Sequence, residues 1–364
     1  MKLLFVIERF YPYHDASAKV LKNLLSSTVF QDCEIHVVSI GNNDLNDGFI
    51  KIHNISYKEN LFNRIKHKIF KGKYIKDNAF VKKFKEKIED ICQNYDISHV
   101  IYVIGNMNLL LVNPKISSEQ NYVFYDSLLN NFFYNREKNK HIVNIQNNAF
   151  DRASRIFLLE EYIDIYKKFH PFQSNKFYPF YITAFYNEKP LNDSESNVLL
   201  HAGAFFPGLR DPFLFFDFLN KCSEQKIDIS AITLGELPKS LKNYNIPSSL
   251  IILNRVFGQE YLNLILSTKC FVLIDNCISC NQIPSKTYEY IGYNRKILFF
   301  SEGNTNTAKL LEGNKNVFFV SDVISNDIIK MFKKFLESDN FNERKKYFKN
   351  EKDYVANYLL EKLK

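Results

Sequence analysis

Short apolar runs alternate with longer amphipathic ones along most of the chain. Residues 2–7, 34–40, 99–104, 121–125 and 155–159 are dense in Val, Ile, Leu, Phe and Tyr, and three of these runs stop at Gly41, Gly105 or Asp126. Runs of that length, bounded by turn residues, predict buried strands. Between them the apolar positions recur every three or four residues. Phe80, Val81, Phe84, Ile88 and Ile91 form the core face of a charged helix, and residues 16–26 and 161–169 read as helices too. Strand and helix in alternation predict a mostly parallel sheet covered on both faces.

The pattern breaks near residue 181. Residues 186–196 are polar and nearly free of apolar side chains, as a linker is. Alternation then restarts, with strands predicted at 197–201, 227–234, 250–253, 270–274, 296–300 and 316–320 and helices between them. Asp211 and Pro212 open one helix as N-cap and first-turn residue, and residues 324–364 read as helices only. The expected organisation is an N-terminal domain over 1–185, a linker over 186–196 and a C-terminal domain over 197–364 that includes the final helices. Two such α/β domains facing a cleft would each present a ligand crevice where the strand order reverses, at the carboxyl ends of the strands. That arrangement suits a reaction joining two substrates.

A length of 364 residues fits two domains, and 46% hydrophobic with 24% charged residues is the composition of a globular protein. No apolar run approaches the roughly 20 residues of a membrane helix. The first residues resemble a signal peptide briefly, but Glu8 and Arg9 interrupt them. Six cysteines without regular spacing fit a reducing compartment, so a cytoplasmic location is expected. Charge changes the picture more. Residues 64–87 hold ten Lys or Arg against Asp77 and Glu86, which is the entire formal excess of +8. The rest of the chain is neutral, so a protein that coats nucleic acid is not expected. Phe62, Ile65 and Ile69 share one helical face within the basic segment, which suggests peripheral contact of residues 64–87 with an anionic membrane surface.

Two constellations could carry chemistry. In the first, a strand ends at Gly203, a loop follows, and Arg210 sits before a helix, which is the arrangement of an anion site. In the second, Pro284 opens a helix on which Ser285, Lys286 and Glu289 share a face. Backbone donors and the Lys286 ammonium would suit a diphosphate, and a carboxylate one turn on would suit a ribose diol. The bland alternative is an exposed Lys286–Glu289 ion pair. Asp126 and His14 each follow a predicted strand and are the candidate acid or base groups. Cys277 and Cys280 have the spacing of a metal pair, but no second pair completes a zinc site, so they read as buried thiols. No Asp-x-Asp and no G-x-G-x-x-G occurs, so neither a metal nor a nicotinamide cofactor is expected.

The segment Ile283-Pro284-Ser285-Lys286-Thr287-Tyr288-Glu289-Tyr290-Ile291, followed by Arg295-Lys296-Ile297-Leu298, resembles the proline–serine–lysine segment of bacterial glycosyltransferases with two Rossmann-like domains. The nearest group is the family-4-type enzymes of surface polysaccharide assembly. Gly203 with Arg210 seven residues later is similar to that family's glycine-to-basic spacing, and residues 152–158 resemble its segment before the interdomain linker. The resemblance implies the GT-B architecture and transfer of a sugar from a nucleotide-sugar donor, UDP-linked by expectation, to a glycan or lipid-linked acceptor. It implies that Arg210 and Lys286 hold the donor diphosphate and Glu289 the ribose. If the reaction inverts, Asp126, by its place after a predicted strand, is the expected base. There are two departures. Asn281 stands where the family often has a further glutamate, and the first loop, residues 10–18, lacks the usual glycines. An epimerase of the same architecture and a non-catalytic subunit are the alternatives.

Overall fold

The computed structural model describes residues 1–10, 16–41, 49–58, 77–105, 107–125, 127–129, 139–184, 197–241, 244–277, 282–321 and 323–364. The chain folds as two compact units, Met1–Thr183 with Lys349–Lys364, and Ala184–Phe348.

In the first unit the described strands form one parallel sheet: β1 (Lys2–Arg9), β2 (Glu34–Ile40), β3 (Ile50–Ile55), β4 (His99–Ile104), β5 (Glu119–Phe124), β6 (Arg155–Leu159) and β7 (Phe177–Phe180), in the order β3-β2-β1-β4-β5-β6-β7. The order reverses between β1 and β4. Central strands are buried on both faces, β4 along its whole length, which is why they read as continuous apolar runs. The two edge strands have no such signature. In β3 only Ile50 and Ile55 are buried, and β7 contains Pro179, which an edge tolerates because it offers no N–H to a ladder.

The chain end departs from the expected boundary. The helix Lys352–Leu363 belongs to the first unit, where it packs on the helix Ala16–Leu25 and the short turn Thr28–Phe30. Val355, Ala356, Leu359 and Leu363 form its buried face. Ser27 Oγ donates to Asp353 Oδ1 at 2.5 Å, and Asn350 Nδ2 donates to the carbonyl of Ile182 at 2.8 Å. An amphipathic pattern announces that a face will be buried but not which surface will bury it.

The basic segment is described only from residue 77 onward. Within the helix Asn78–Tyr95, Lys82, Lys85 and Lys87 pair with Glu86, Glu89 and Asp90, one turn further along. Three of the segment's lysines are thus partnered by carboxylates of the same helix, two of them just past residue 87. Residues 64–76 of that segment lie outside the described residues, as does the linker 186–196.

The second unit has strands β8 (Val198–His201), β9 (Ser230–Leu234), β10 (Leu250–Leu253), β11 (Cys270–Ile274), β12 (Lys296–Phe300) and β13 (Val317–Val320), parallel and in the order β10-β9-β8-β11-β12-β13. The order reverses between β8 and β11. One face of this sheet is packed by aromatic rings. Phe218 of the helix Phe213–Glu224 meets Phe300 and Phe332 edge-on at 5.6 and 5.0 Å between centroids.

Several histidines are buried, and burial holds their pKa below the ordinary 6.5. His53 and His170 fall to about 4 and His201 to about 3. A base whose folded pKa is depressed contributes stability that is complete above its unfolded pKa and lost as pH falls toward the folded one. His170 and His201 are only 1 and 2% exposed. Each is expected to cost about 2 kcal/mol between pH 6.5 and pH 5. Thermal unfolding followed at pH 7 and pH 5 should therefore show a clear loss of stability in acid. An unchanged midpoint would mean that the folded protein accommodates these rings in their charged form.

Candidate functional site

At the switch point of the second unit, the chain leaving β8 forms a small hairpin. Phe206-Pro207-Gly208-Leu209 is a turn closed by Leu209 N donating to the Phe206 carbonyl at 2.9 Å. Pro207 presets the first corner and Gly208 takes φ +78° at the second, the left-handed position that a type II turn requires. Arg210 N then donates to the Phe206 carbonyl at 2.7 Å, and Phe206 N returns a bond to the Arg210 carbonyl at 3.2 Å. Asp211 was expected to cap the next helix. Instead its two carboxylate oxygens accept from Gly208 N at 3.1 Å each, which braces the hairpin. The helix starts at Phe213, with Pro212 in the cap position.

The hairpin is tied across the reversal point to the residues after β11. Cys277 N donates to the Leu209 carbonyl at 2.8 Å, and Arg210 Nε donates to Asn276 Oδ1 at 2.8 Å. Arg210 also lies against the Phe206 ring, 5.5 Å from its centroid. Asn276 is buried and anchored in turn, its N–H donating to Asp275 Oδ1 at 2.9 Å. Asp275 is held by the hydroxyls of Ser301, Thr305 and Thr307. Burial pushes the Asp275 carboxyl pKa up, and these donors oppose that shift. Cys277, expected as a buried thiol, is half-buried, and Cys280 lies outside the described residues.

Gly203 has an internal reason to be glycine. A Cβ there would come within 3.0 Å of His201 Nε2. The His201 ring is fixed by Thr233 Oγ1 at 3.0 Å and stacked on Phe205 at 4.4 Å. Its depressed pKa has burial as the largest cause, with the charges of Arg210 and Lys286 adding to it. His201 is thus a neutral imidazole at the base of a positively charged corner.

The helix Ser285–Tyr293 supplies the other side. It is buried from Thr287 to Gly292 and ends on Asn294 in the left-handed conformation. Tyr290 sets its position: the ring stacks on Phe271 of β11 at 4.3 Å, and its hydroxyl accepts from Ala202 N at 3.1 Å. Ser285 is exposed at the first helical residue. Lys286 and Glu289 are three residues apart and paired at 2.5 Å, but not on an exposed face, since Glu289 is only 7% exposed. Tyr261, from the helix Gly258–Ser267, joins them. Its hydroxyl accepts from Lys286 Nζ at 2.6 Å and donates to Glu289 Oε1 at 2.8 Å. The Lys286 ammonium sits 4.6 Å from the Tyr261 ring centroid.

The structure therefore gathers Gly203, Arg210, Ser285, Lys286 and Glu289 in the loop and helix that follow β8 and β11. Asp126, Asn281 and His14 lie outside the described residues. Sequence reasoning missed Tyr261, Asn276, Asp275 and the role of His201. Only Asp275 and Asn276 carried a signal, as two polar residues directly after the wholly apolar β11.

No family model matches the sequence, and no curated protein does either. Solved structures do match. A glycosyltransferase from Rickettsia africae covers 100% of this chain and 97% of its own, with a TM-score of 0.65 at 9% identity. WaaG, a glycosyltransferase involved in lipopolysaccharide biosynthesis, covers 98% of this chain and 94% of its own, with a TM-score of 0.60 at 9% identity. The UDP-GlcNAc 2-epimerase from Methanocaldococcus jannaschii covers 99% of this chain and 100% of its own, with a TM-score of 0.59 at 13% identity. At such identities the likeness is one of fold: two Rossmann-like units of the GT-B type, an architecture that serves glycosyltransferases and an epimerase alike.

Proposed function

We propose that this protein is a glycosyltransferase whose second unit binds a nucleotide-sugar donor, UDP-linked by preference, and whose first unit takes a glycan or lipid-linked acceptor. The observation that carries this reading is the corner at the β8/β11 reversal. There Arg210 is held by Asn276, and Lys286 and Glu289 follow within one helical turn. In a doubly wound sheet this is where a nucleotide binds. A cation from a braced hairpin and another from a helix's first turn suit two phosphates, and a carboxylate one turn further suits a ribose.

In the reaction an acceptor hydroxyl attacks the anomeric carbon of the donor. The bond from that carbon to the phosphate oxygen breaks, and the nucleoside diphosphate leaves with the electron pair. Arg210 and Lys286 would stabilise the charge that grows on the departing diphosphate. His201, kept neutral by its surroundings, adds no charge there. Asp126 remains the proposed acceptor of the hydroxyl proton, because in the sequence it stands two residues past the end of β5.

Thermal unfolding in the presence of UDP, GDP, ADP and their sugars tests the donor half. A ligand at a hundred times its Kd stabilises by about 2.7 kcal/mol, a shift of roughly 5–10 °C for a unit of this size. A screen in which no nucleoside diphosphate shifts the transition would overturn the reading. The epimerase among the matching structures keeps a second reading in play. Incubation with a nucleotide sugar alone separates the two, since an epimerase yields an isomer without any acceptor.

A further inference from the structure

We propose that Lys286 serves two partners in turn, and that this makes diphosphate and ribose recognition cooperative. The inference rests on the nucleotide reading above and deepens it. Without ligand, Glu289 is already occupied: Lys286 Nζ holds Oε2 at 2.5 Å and Tyr261 holds Oε1 at 2.8 Å. A ribose diol needs acceptor capacity on that carboxylate, and an ammonium at contact distance competes for it. The diphosphate needs the same ammonium. A phosphate that draws Lys286 away opens Oε2, while the Tyr261 hydroxyl still holds Oε1 and keeps the carboxylate in position. Tyr261 is in this sense a positioning residue. It has contact with both members of the pair and lies on a different helix from either.

The consequence is a defined sign for each fragment. A free nucleoside must break the ion pair alone and binds weakly. Pyrophosphate breaks it first, so the nucleoside that follows meets a vacated oxygen. Linkage requires the reverse effect to be equal, with nucleoside tightening pyrophosphate by the same factor. Independent phosphate and ribose sites would show neither effect.

The test uses the full chain with uridine, inorganic pyrophosphate and UDP as probes in titration calorimetry. In the parent, saturating pyrophosphate should tighten uridine binding by about fivefold or more. Lys286→Met should bind uridine more tightly than the parent does, with no further gain from pyrophosphate. Glu289→Gln frees the ammonium and should bind pyrophosphate more tightly than the parent, while losing uridine. Should Lys286→Met fail to fold, the two-fragment titration of the parent and the Glu289→Gln arm still decide. Uridine affinity that ignores pyrophosphate, or pyrophosphate affinity in Glu289→Gln no higher than the parent's, overturns the exchange while leaving the nucleotide site standing. A parent that binds neither pyrophosphate nor UDP overturns both.

Discussion

Arg210→Ala is expected to lower nucleoside diphosphate affinity by about tenfold to a hundredfold while free nucleoside affinity stays near the parent's. One charge-assisted hydrogen bond contributes about 1.5–3 kcal/mol, and each 1.4 kcal/mol is roughly tenfold. The residue is suited to this role because its geometry is fixed before any ligand arrives. Its backbone closes the hairpin with Phe206, and its Nε donates to Asn276. Arg210→Lys keeps the charge but loses the Nε donor and the planar fork, so it should recover only part of the affinity. Asn276→Ala leaves the charge and removes the brace, and should fall between the two. Calorimetric titration with UDP and uridine reads the contrast. Equal losses for both ligands would mean that Arg210 shapes the loop and does not meet a phosphate.

That prediction draws on residues 66 positions apart, and the sequence exposes such relations unevenly. Strands buried on both faces were legible almost to the residue, because burial on two sides demands an unbroken apolar run; β2, β4, β6, β11 and β12 have the bounds their composition announces. The edge strand β10 was legible as well, through its Leu-Ile-Ile-Leu run, although only Leu250 is buried. The edge strands of the first unit were not. In β3, Lys51 is exposed between two isoleucines, and in β7 a proline sits mid-strand, so neither run looks like a strand without its neighbour. The final helix shows another limit. Its apolar stripe is plain, yet the surface it covers lies more than 300 positions back in the chain, on the helix Ala16–Leu25 and the turn Thr28–Phe30.

The candidate site divides in the same way. Lys286 and Glu289 are three positions apart on one helix, so helical period alone places them together. The carboxylate's burial and the Tyr261 hydroxyl between them come from a second helix, 25 residues from Lys286, and no local pattern reports that approach. Likewise Asn276 meets Arg210 across 66 residues, joined only because β8 and β11 are neighbours in the sheet. Knowing that strand order would have supplied the missing contact. Periodicity identifies strands and their buried faces, but strand order comes from tertiary packing.

Asp275 is where the largest stability effect is expected. It is 6% exposed and receives four donors: the hydroxyls of Ser301, Thr305 and Thr307, and the N–H of Asn276. Its backbone N–H donates to the Phe300 carbonyl at 2.9 Å, so the carboxylate ties the end of β11 to the loop after β12. Thr305 belongs to both structures, because its Oγ1 also accepts from Ala308 N at 3.1 Å and caps the helix Asn306–Leu311. Asp275→Ala removes the common acceptor and strands several buried donors, each costing about 1–3 kcal/mol when unsatisfied. Rotation of the hydroxyls toward other acceptors reduces the sum, so a loss of about 3 kcal/mol or more is expected, or roughly 6–12 °C in the unfolding temperature of this unit. Thr307→Val deletes one donor and leaves the acceptor, and should cost only about 1 kcal/mol. The Asp275 variant should also bind nucleoside diphosphate less well, since the backbone N–H of Asn276, whose side chain meets Arg210, loses its acceptor. Differential scanning calorimetry and a UDP titration together read both effects. An Asp275→Ala protein that unfolds within a degree or two of the parent would show that the three hydroxyls organise this loop without the carboxylate.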